Sequence, residues 1–294
     1  MARTLGLGVD LRRKSLPWLL LAPTVLFVGA MTVLPLAYSV VTSFQEFPLG
    51  QAPAFVGLQN YRNLIGDANF LSSLETTLVF TISATGLEFV LGLGLALLLK
   101  QEFSFQGTIR SSLIVPMAIA PVVVGIIWRL LYNADVGLFS FAAQALTGHS
   151  VSVLSSTTLA LPALILVDVW EWTPFMFLLL LAGIQSLPQE PFEAARVDGA
   201  SAWNIFLQLT MPMLRPVIVV ALLIRALDAF TVFDQVFVLT QGGPGTATEV
   251  ATLMVYKTAF RFSQFGYAAS MAVALLVLVM FFSAAITRTF RTSV

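Results

Sequence analysis

The sequence contains no cysteine and a single histidine, His149. Disulfides, thiolate nucleophiles and thiolate metal sites are therefore excluded, and no histidine cluster is available to hold a metal. Charge is scarce as well. Asp, Glu, Lys and Arg together make up 10% of the 294 residues, whereas a soluble domain carries roughly a quarter. Acids and bases balance at 15 each, so no overall basic field draws the chain to nucleic acid. A phosphate-cradling G-x-x-x-x-G-K-[ST] loop is missing too, which leaves any energy source to a partner or an ion gradient.

What fills the sequence instead is apolar: 58% of residues are hydrophobic and the mean hydropathy is +0.91. A membrane helix needs about 20 mostly apolar residues, and six runs qualify, at 16–44, 74–99, 112–132, 159–187, 217–239 and 267–287. Their continuity predicts helices rather than the alternating strands of a barrel. The expected fold class is an all-α membrane protein with six transmembrane helices embedded in a lipid bilayer. Arg12, Arg13 and Lys14 ahead of the first run, with VGA inside it, imitate a signal peptide. The apolar character continues through 31–41, past a signal's short core, so the run is expected to stay as a membrane span.

Lys and Arg set the expected orientation, because loops on the cytoplasmic side carry their excess. With the N-terminus inside, ten basic residues fall on the inner side and three, Arg62, Lys257 and Arg261, on the outer. Both termini are thus expected in the cytoplasm. The division is a cytoplasmic tail at 1–15, a six-span membrane domain at 16–290 holding a cytoplasmic loop at 186–216, and a cytoplasmic C-terminal end at 291–294. Outer loops at 45–73, 133–158 and 240–266 are too small for separate domains. In the first, FVGLQNYRNLIGD predicts a short interfacial helix carrying Tyr61 and Leu64. In the third, TQGGPG predicts a turn with positive φ open to Gly242, Gly243 and Gly245, and with Pro244 held at negative φ. Pro23, Pro35, Pro116, Pro121, Pro162 and Pro174 lie in or beside spans. They either bend helices around a pathway or are ordinary membrane-helix prolines.

The loop at 186–216, SLPQEPFEAARVDGASAWNIFLQLTMPMLRP, is the polar interruption between spans four and five. Ser186 and Gln189 have capping-box spacing, and Glu190 and Glu193 fall where the helix dipole favours carboxylates. Gly199 supplies a turn. A second helix from near Ser201 places Trp203, Phe206, Leu207 and Thr210 on one face, and Pro212 is expected to stop it. Such a helix-turn-helix suits docking into a partner's groove; the alternative is an amphipathic helix lying on lipid.

Glu193-Ala194-Ala195, three residues, Gly199, nine residues, then Leu209, Thr210, Met211 and Pro212 resembles the EAA loop of binding-protein-dependent ABC importer permeases, EAA-x3-G-x9-I-x-L-P. Leu209 stands in for Ile and Met211 for Leu. Asp198-Gly199-Ala200, FVGLQNY at 55–61, FVLTQGGPGTAT at 237–248, and Tyr256, Phe260 and Gly266-Tyr267 extend the likeness over nearly the whole chain. Together they are similar to the MalF-like, UgpA-like branch of the sugar permeases. The resemblance implies a type I importer bundle with a coupling helix seated in an ATPase subunit. Glu193, Ala194, Ala195, Asp198, Gly199 and Pro212 would carry that coupling, and Gly242, Gly243 and Pro244 would lie in a loop facing the binding protein. It further implies a second homologous permease, two ABC ATPase subunits holding ATP and Mg, an extracytoplasmic substrate-binding protein, and no cofactor or catalytic activity on this chain. The expected location is the cytoplasmic membrane of a bacterium or archaeon. The implied cargo is a sugar, whether a disaccharide such as trehalose or maltose, an oligosaccharide or glycerol phosphate.

Ionisable side chains inside spans are functional candidates. Glu88, Asp168, Glu171, Arg225 and Asp228 fall near mid-membrane, and Arg129 and Asp234 nearer the outer interface, where snorkelling suffices. Asp168, Trp172 and Phe175 share one face of span four. Arg225 and Asp228 are one turn apart on span five, with Thr231 and Gln235 continuing their face. Carboxylates, amides and aromatic faces suit sugar hydroxyls and ring faces, so Asp168, Glu171, Trp172, Arg225, Asp228, Thr231 and Gln235 are candidates for a substrate pathway. The competing reading is a structural ion pair, for Glu88 as for Arg225 with Asp228. An ion-coupled transporter using the mid-membrane carboxylates is the second functional class; it would not need the structured cytoplasmic loop.

Overall fold

The computed structural model describes residues 5–100, 105–150 and 152–291. Arg3 and residues 292–294 lie outside these. In chain order the helices begin with α1 (Leu5–Ser43), α2 (Gln59–Ile65), α3 (Ala68–Leu98), α4 (Gln106–Ile114) and α5 (Pro121–Leu131). They continue with α6 (Leu138–Thr147), α7 (Ala160–Gln185), α8 (Glu190–Val197), α9 (Ala202–Ile205) and α10 (Met211–Phe230). The last are α11 (Asp234–Leu239), α12 (Ala251–Tyr256) and α13 (Phe265–Arg291). A two-residue hairpin, β1 (Gln45–Glu46) and β2 (Ala54–Phe55), pairs antiparallel. α1 begins at Leu5 and so takes in most of the stretch assigned to an N-terminal tail.

Among the described residues, five helical stretches are long and apolar enough to cross a membrane: Leu20–Ser43, Ala68–Leu98, Ala160–Gln185, Ala202–Leu239 and Phe265–Ala285. The third expected span is not one helix. α4, a single 3-10 turn at Pro116–Ala118 and α5 share it, because Ile119 and Ala120 adopt extended ψ of 138° and 136° ahead of Pro121. Proline disfavours a helical conformation in the residue before it and donates no N–H itself. Pro23 and Pro35, by contrast, ride inside α1, and Pro174 inside α7. The expected fifth span breaks as well: α10 ends at Phe230, and residues 231–233 separate it from α11.

The chain divides into two compact units, residues 1–65 with 258–274 and residues 66–257 with 275–294. In the first unit, the end of α1 is tied to α2 by side chains. Asn60 Nδ2 donates to the carbonyls of Ser43 and Gln45, each at 2.9 Å, and Ser43 Oγ lies 2.6 Å from the Tyr61 hydroxyl. The expected short helix with Tyr61 and Leu64 is α2. The chain before α13 returns to the hairpin: Leu49 N–H donates to Ser263 C=O and Phe265 N–H to Phe47 C=O. Along α1 the apolar side chains from Trp18 to Val41 are mostly exposed, as suits a helix whose surroundings are lipid.

In the second unit, α3 and α7 form the most extensive helix pair. Their close approach is set at Gly92, where an added Cβ would come within 2.9 Å of Met176 Cβ and of the Phe177 backbone nitrogen. Two apolar clusters stack along these helices. One holds Phe80, Ala84, Leu164, Val167, Ala229 and Val236; the other holds Leu93, Ala96, Met176, Phe177, Leu214 and Ile218. Glu88 on α3, Glu171 on α7 and Arg225 on α10 fall in the sequence gap between the two clusters, and Asp168 lies at the edge of the first, between Val167 and Val169. The candidate charges therefore form a polar layer with packed hydrocarbon on either side.

Candidate functional site

Arg225 is the centre of that layer. Its side chain is 1% exposed and reaches all three carboxylates around it. Nε and Nη2 donate to Glu88 Oε2 and Oε1 at 2.7 Å each, Nη2 also donates to Asp168 Oδ2 at 2.6 Å, and Nη1 donates to Asp228. The planar fork makes the two-pronged grip on Glu88 possible and leaves Nη1 for Asp228 one turn along α10. The Trp172 ring covers the guanidinium, with Cζ 5.0 Å from the ring centroid, a cation–π contact that strengthens away from water. The Arg225–Asp228 pair expected from their spacing is present, but it is the exposed edge of a larger network. Glu88, fully buried, is the partner that spacing along span five did not supply. Its signal in the sequence was a mid-span acid in the second run with no base in that run to pair with, in a chain whose one mid-span base is Arg225.

Beside this network lies a cavity of about 140 Å³, lined by Asp168, Trp172, Asp228, Thr231, Asp234 and Gln235 together with Pro121, Ala229, Val232 and Phe233. Five of the seven pathway candidates line it. Arg225 and Glu171 stand behind the wall, and Glu171 accepts a hydrogen bond from Gln235 Nε2. The break after α10 brings this set together. Thr231 caps α10, its hydroxyl within hydrogen-bond reach of the carbonyls of Leu227 and Asp228, while Val232 offers its carbonyl to Thr252. α11 then restarts at Asp234. Unwound backbone inside a membrane span is tolerated where it is buried in protein or lines a cavity. Asp234 departs from expectation, since it lines this cavity and interfacial snorkelling alone does not describe it. The same break is the reason, because it redirects the chain immediately before Asp234. Arg129 donates to the Val238 carbonyl at 3.1 Å. Phe233 was not singled out in the sequence and Pro121 was noted only among the span prolines; no periodicity links either to α7.

The polar loop at 186–216 forms two helices joined by a tight turn, with differences at its ends. Ser186 does not open a capping box. Its Oγ donates back to Gly183 C=O at 2.8 Å and closes α7, and α8 starts after Gln189 without a side-chain cap. Gly199 has φ +75°, a left-handed conformation that costs about 1–2 kcal/mol with a Cβ. It lets Ala200 N–H reach Ala195 C=O at 2.9 Å and Gly199 N–H reach Arg196 C=O at 3.1 Å, which satisfies carbonyls at the end of α8. Ser201 Oγ then accepts from Asn204 N–H at 3.2 Å and caps α9.

Pro212 does not stop the second helix. The backbone widens into a π turn at Phe206–Thr210 and runs on as α10, with Pro212 in its first turn. The wider turn relieves the clash of a proline ring with the carbonyl four residues back. The expected apolar face also divides: Thr210 is buried and Phe206 half-buried, whereas Trp203 and Leu207 are exposed. α8 has no buried residue. Glu193, Ala194 and Asp198 are exposed, and so, unusually for apolar side chains, are Val197 at 88% and Trp203 at 66%.

The loop at 240–266 is cross-braced. Thr248 Oγ1 is 2.7 Å from both Thr240 Oγ1 and Gly243 C=O, and Lys257 Nζ pairs with Glu249 at 2.9 Å. Gly242 has φ +88° and Gly245 φ +59°; Gly243 is not at positive φ and precedes Pro244 through a cis peptide bond. A Cβ on Gly242 would meet Lys257 Nζ, the end of a flexible side chain, at 2.9 Å, so it is the backbone angle that calls for glycine there.

The profile of the family described as "Binding-protein-dependent transport system inner membrane component" matches residues 88–291. Over 277 residues the chain is 37% identical to a probable ABC transporter permease protein of Sinorhizobium fredii, covering 93% of this chain and 89% of that one. Over 273 residues it is 34% identical to the trehalose/maltose transport system permease protein MalF of Thermococcus litoralis, covering 92% of each. Among solved structures it is similar to a chain of a bacterial alginate ABC transporter crystallised with an alginate pentasaccharide-bound periplasmic protein. That match has a TM-score of 0.84 at 20% identity and covers 96% of both chains.

Proposed function

This chain belongs to the family of binding-protein-dependent transport system inner membrane components, and from that premise we propose that it is one permease subunit of an ATP-driven importer for a sugar. It is a membrane component of an ABC transporter with the type I importer permease fold, and transport rather than catalysis is its role. In the proposed assembly it pairs with a second homologous permease, two ATPase subunits that hold ATP and Mg, and an extracytoplasmic binding protein. Both termini and the 186–216 loop lie in the cytoplasm.

The observation that carries this reading is the pairing of two features on one continuous stretch. α9, the π turn and α10 run without a break from the exposed loop to Arg225 and Asp228. Glu193, Ala194, Ala195, Asp198 and Gly199 present the docking surface for an ATPase subunit, and Val197 and Trp203 are apolar contacts to be covered by it. Movement of that subunit on ATP hydrolysis is passed along α10 as a rigid lever, with Pro212 and the π turn at its base. At the far end it acts on the cavity at the 231–233 break, where Asp168, Trp172, Asp228, Thr231 and Gln235 take up the sugar in passing. Glu171 and Arg225 hold those groups in place. Gly242, Gly243 and Pro244 shape a braced outer loop for the loaded binding protein.

A likeness to trehalose and maltose permeases over most of the chain supports a disaccharide cargo, with longer oligosaccharides the next class. The test is reconstitution of the chain with its partner subunits and binding protein, followed by a sugar panel read out as ATP hydrolysis and uptake. Stimulation by one sugar class is expected. Uptake that persists without ATP and collapses with a protonophore would overturn the ATP-driven reading.

A further inference from the structure

The cavity at the α10–α11 break carries a charge pattern that bears on which sugars it accepts. Three side chains lining it are carboxylates, Asp168, Asp228 and Asp234, and no Lys or Arg lines it. The nearby cation, Arg225, is buried and engaged by Glu88, Asp168 and Asp228. It cannot turn to an incoming anion without leaving buried carboxylates unbalanced.

A second observation points to the ligand's chemistry. Gln235 lines the cavity, is 2% exposed, and its Oε1 has no hydrogen-bond partner. Its Nε2 donates to Glu171, which leaves the amide oxygen as the open group. A buried acceptor without a donor is costly. A hydroxyl supplies that donor, whereas phosphate or carboxylate oxygens bring none and add like charge in a space where screening is weak.

We propose that this cavity selects uncharged, hydroxyl-rich solutes, accepts amino sugars, and rejects anionic ones such as sugar phosphates and uronates. The inference rests on the reading of the cavity as part of a sugar pathway, and it removes glycerol phosphate and acidic oligosaccharides from the candidate cargoes. It assigns the discrimination to the permease itself, in addition to any made by a binding protein.

The experiment measures equilibrium binding to the purified complex of permease and ATPase subunits without the binding protein, at low and high salt. Probes are matched: trehalose against trehalose 6-phosphate, maltose against maltobionate, and glycerol against glycerol 3-phosphate. Each neutral member that binds should do so about tenfold more tightly than its anionic partner, equivalent to about 1.4 kcal/mol, with the gap shrinking in high salt. Asp234→Asn should narrow the gap and Asp234→Lys should narrow it further or reverse it. Equal or tighter binding of the anionic members to the unaltered complex would overturn this inference and leave the sugar pathway standing. If neither half of the panel binds, the pathway reading falls and this inference with it.

Discussion

Replacing Arg225 by methionine removes one charge and strands three. Glu88 and Asp168 are 0% and 2% exposed, so neither is compensated by water when the guanidinium goes, whereas Asp228, 54% exposed at its side chain, is partly solvated. Removing one partner of a buried ion pair costs about 3–5 kcal/mol. Here two fully buried acids lose their counter-ion, while the exposed third contributes little. At roughly 2–4 °C of melting temperature per kcal/mol for a chain of about this size, Arg225→Met should lower the unfolding midpoint of the purified complex by at least about 6 °C. Arg225→Lys should fall in between, because a single ammonium cannot grip both oxygens of Glu88 while reaching Asp168 and Asp228. Glu88→Gln in the Arg225→Met background should recover part of the loss, since it removes one stranded charge, and the double-mutant cycle should give a coupling of about 1–3 kcal/mol. The assay is thermal unfolding in detergent followed by intrinsic fluorescence, with assembly checked by co-purification of the partner subunits. An Arg225→Met complex melting within about 2 °C of the unaltered one would refute the network as a stabilising element.

Other outcomes follow from the loop and the cavity. Glu193→Arg, in the exposed part of α8, should release the ATPase subunits in pull-down while leaving the melting profile of the permease unchanged; retained association and normal uptake would count against docking there. Gly199→Ala meets a backbone angle that costs about 1–2 kcal/mol with a side chain, so coupling of hydrolysis to uptake should weaken, and a fully coupled variant would argue that the turn is not held rigid. Trp203→Ala should weaken ATPase association by about tenfold or more, the effect of an aromatic anchor worth at least about 1.4 kcal/mol, as read by titration of the ATPase subunit; unaltered affinity would remove Trp203 from the interface. Asp228→Asn and Trp172→Ala should reduce sugar uptake with assembly and basal ATP hydrolysis retained, and unimpaired uptake in both would remove the cavity from the pathway.

Several features of the fold were readable along the chain because they are local. Gly199 marked its turn, Ser201 the start of the second helix, and the apolar runs marked long helices, since each depends on residues within a few positions of one another. Prediction failed where two local rules competed. Pro212 reads as a helix stop, but a π turn absorbs it; Ser186 reads as a cap for α8, but its hydroxyl goes to the helix that precedes it. The third run, at 112–132, reads as one helix by composition, but Pro121 and the extended residues before it divide it.

The candidate site divides in the same way. Composition alone determined that the chain lives in a membrane, and the intact EAA spacing marked an exposed loop between two spans. Asp168, Glu171, Arg225 and Asp228 stood out because ionised groups in hydrocarbon demand a reason wherever they occur. Which of them meet was decided only by tertiary structure. Arg225 takes Glu88 from a helix 137 positions earlier in the chain, and the break at 231–233 turns Asp234 and Gln235 toward Trp172. Those pairings depend on which faces of α3, α7 and α10 pack together and on where a helix unwinds. Both follow from side-chain fit among distant residues, which periodicity along a single segment does not encode.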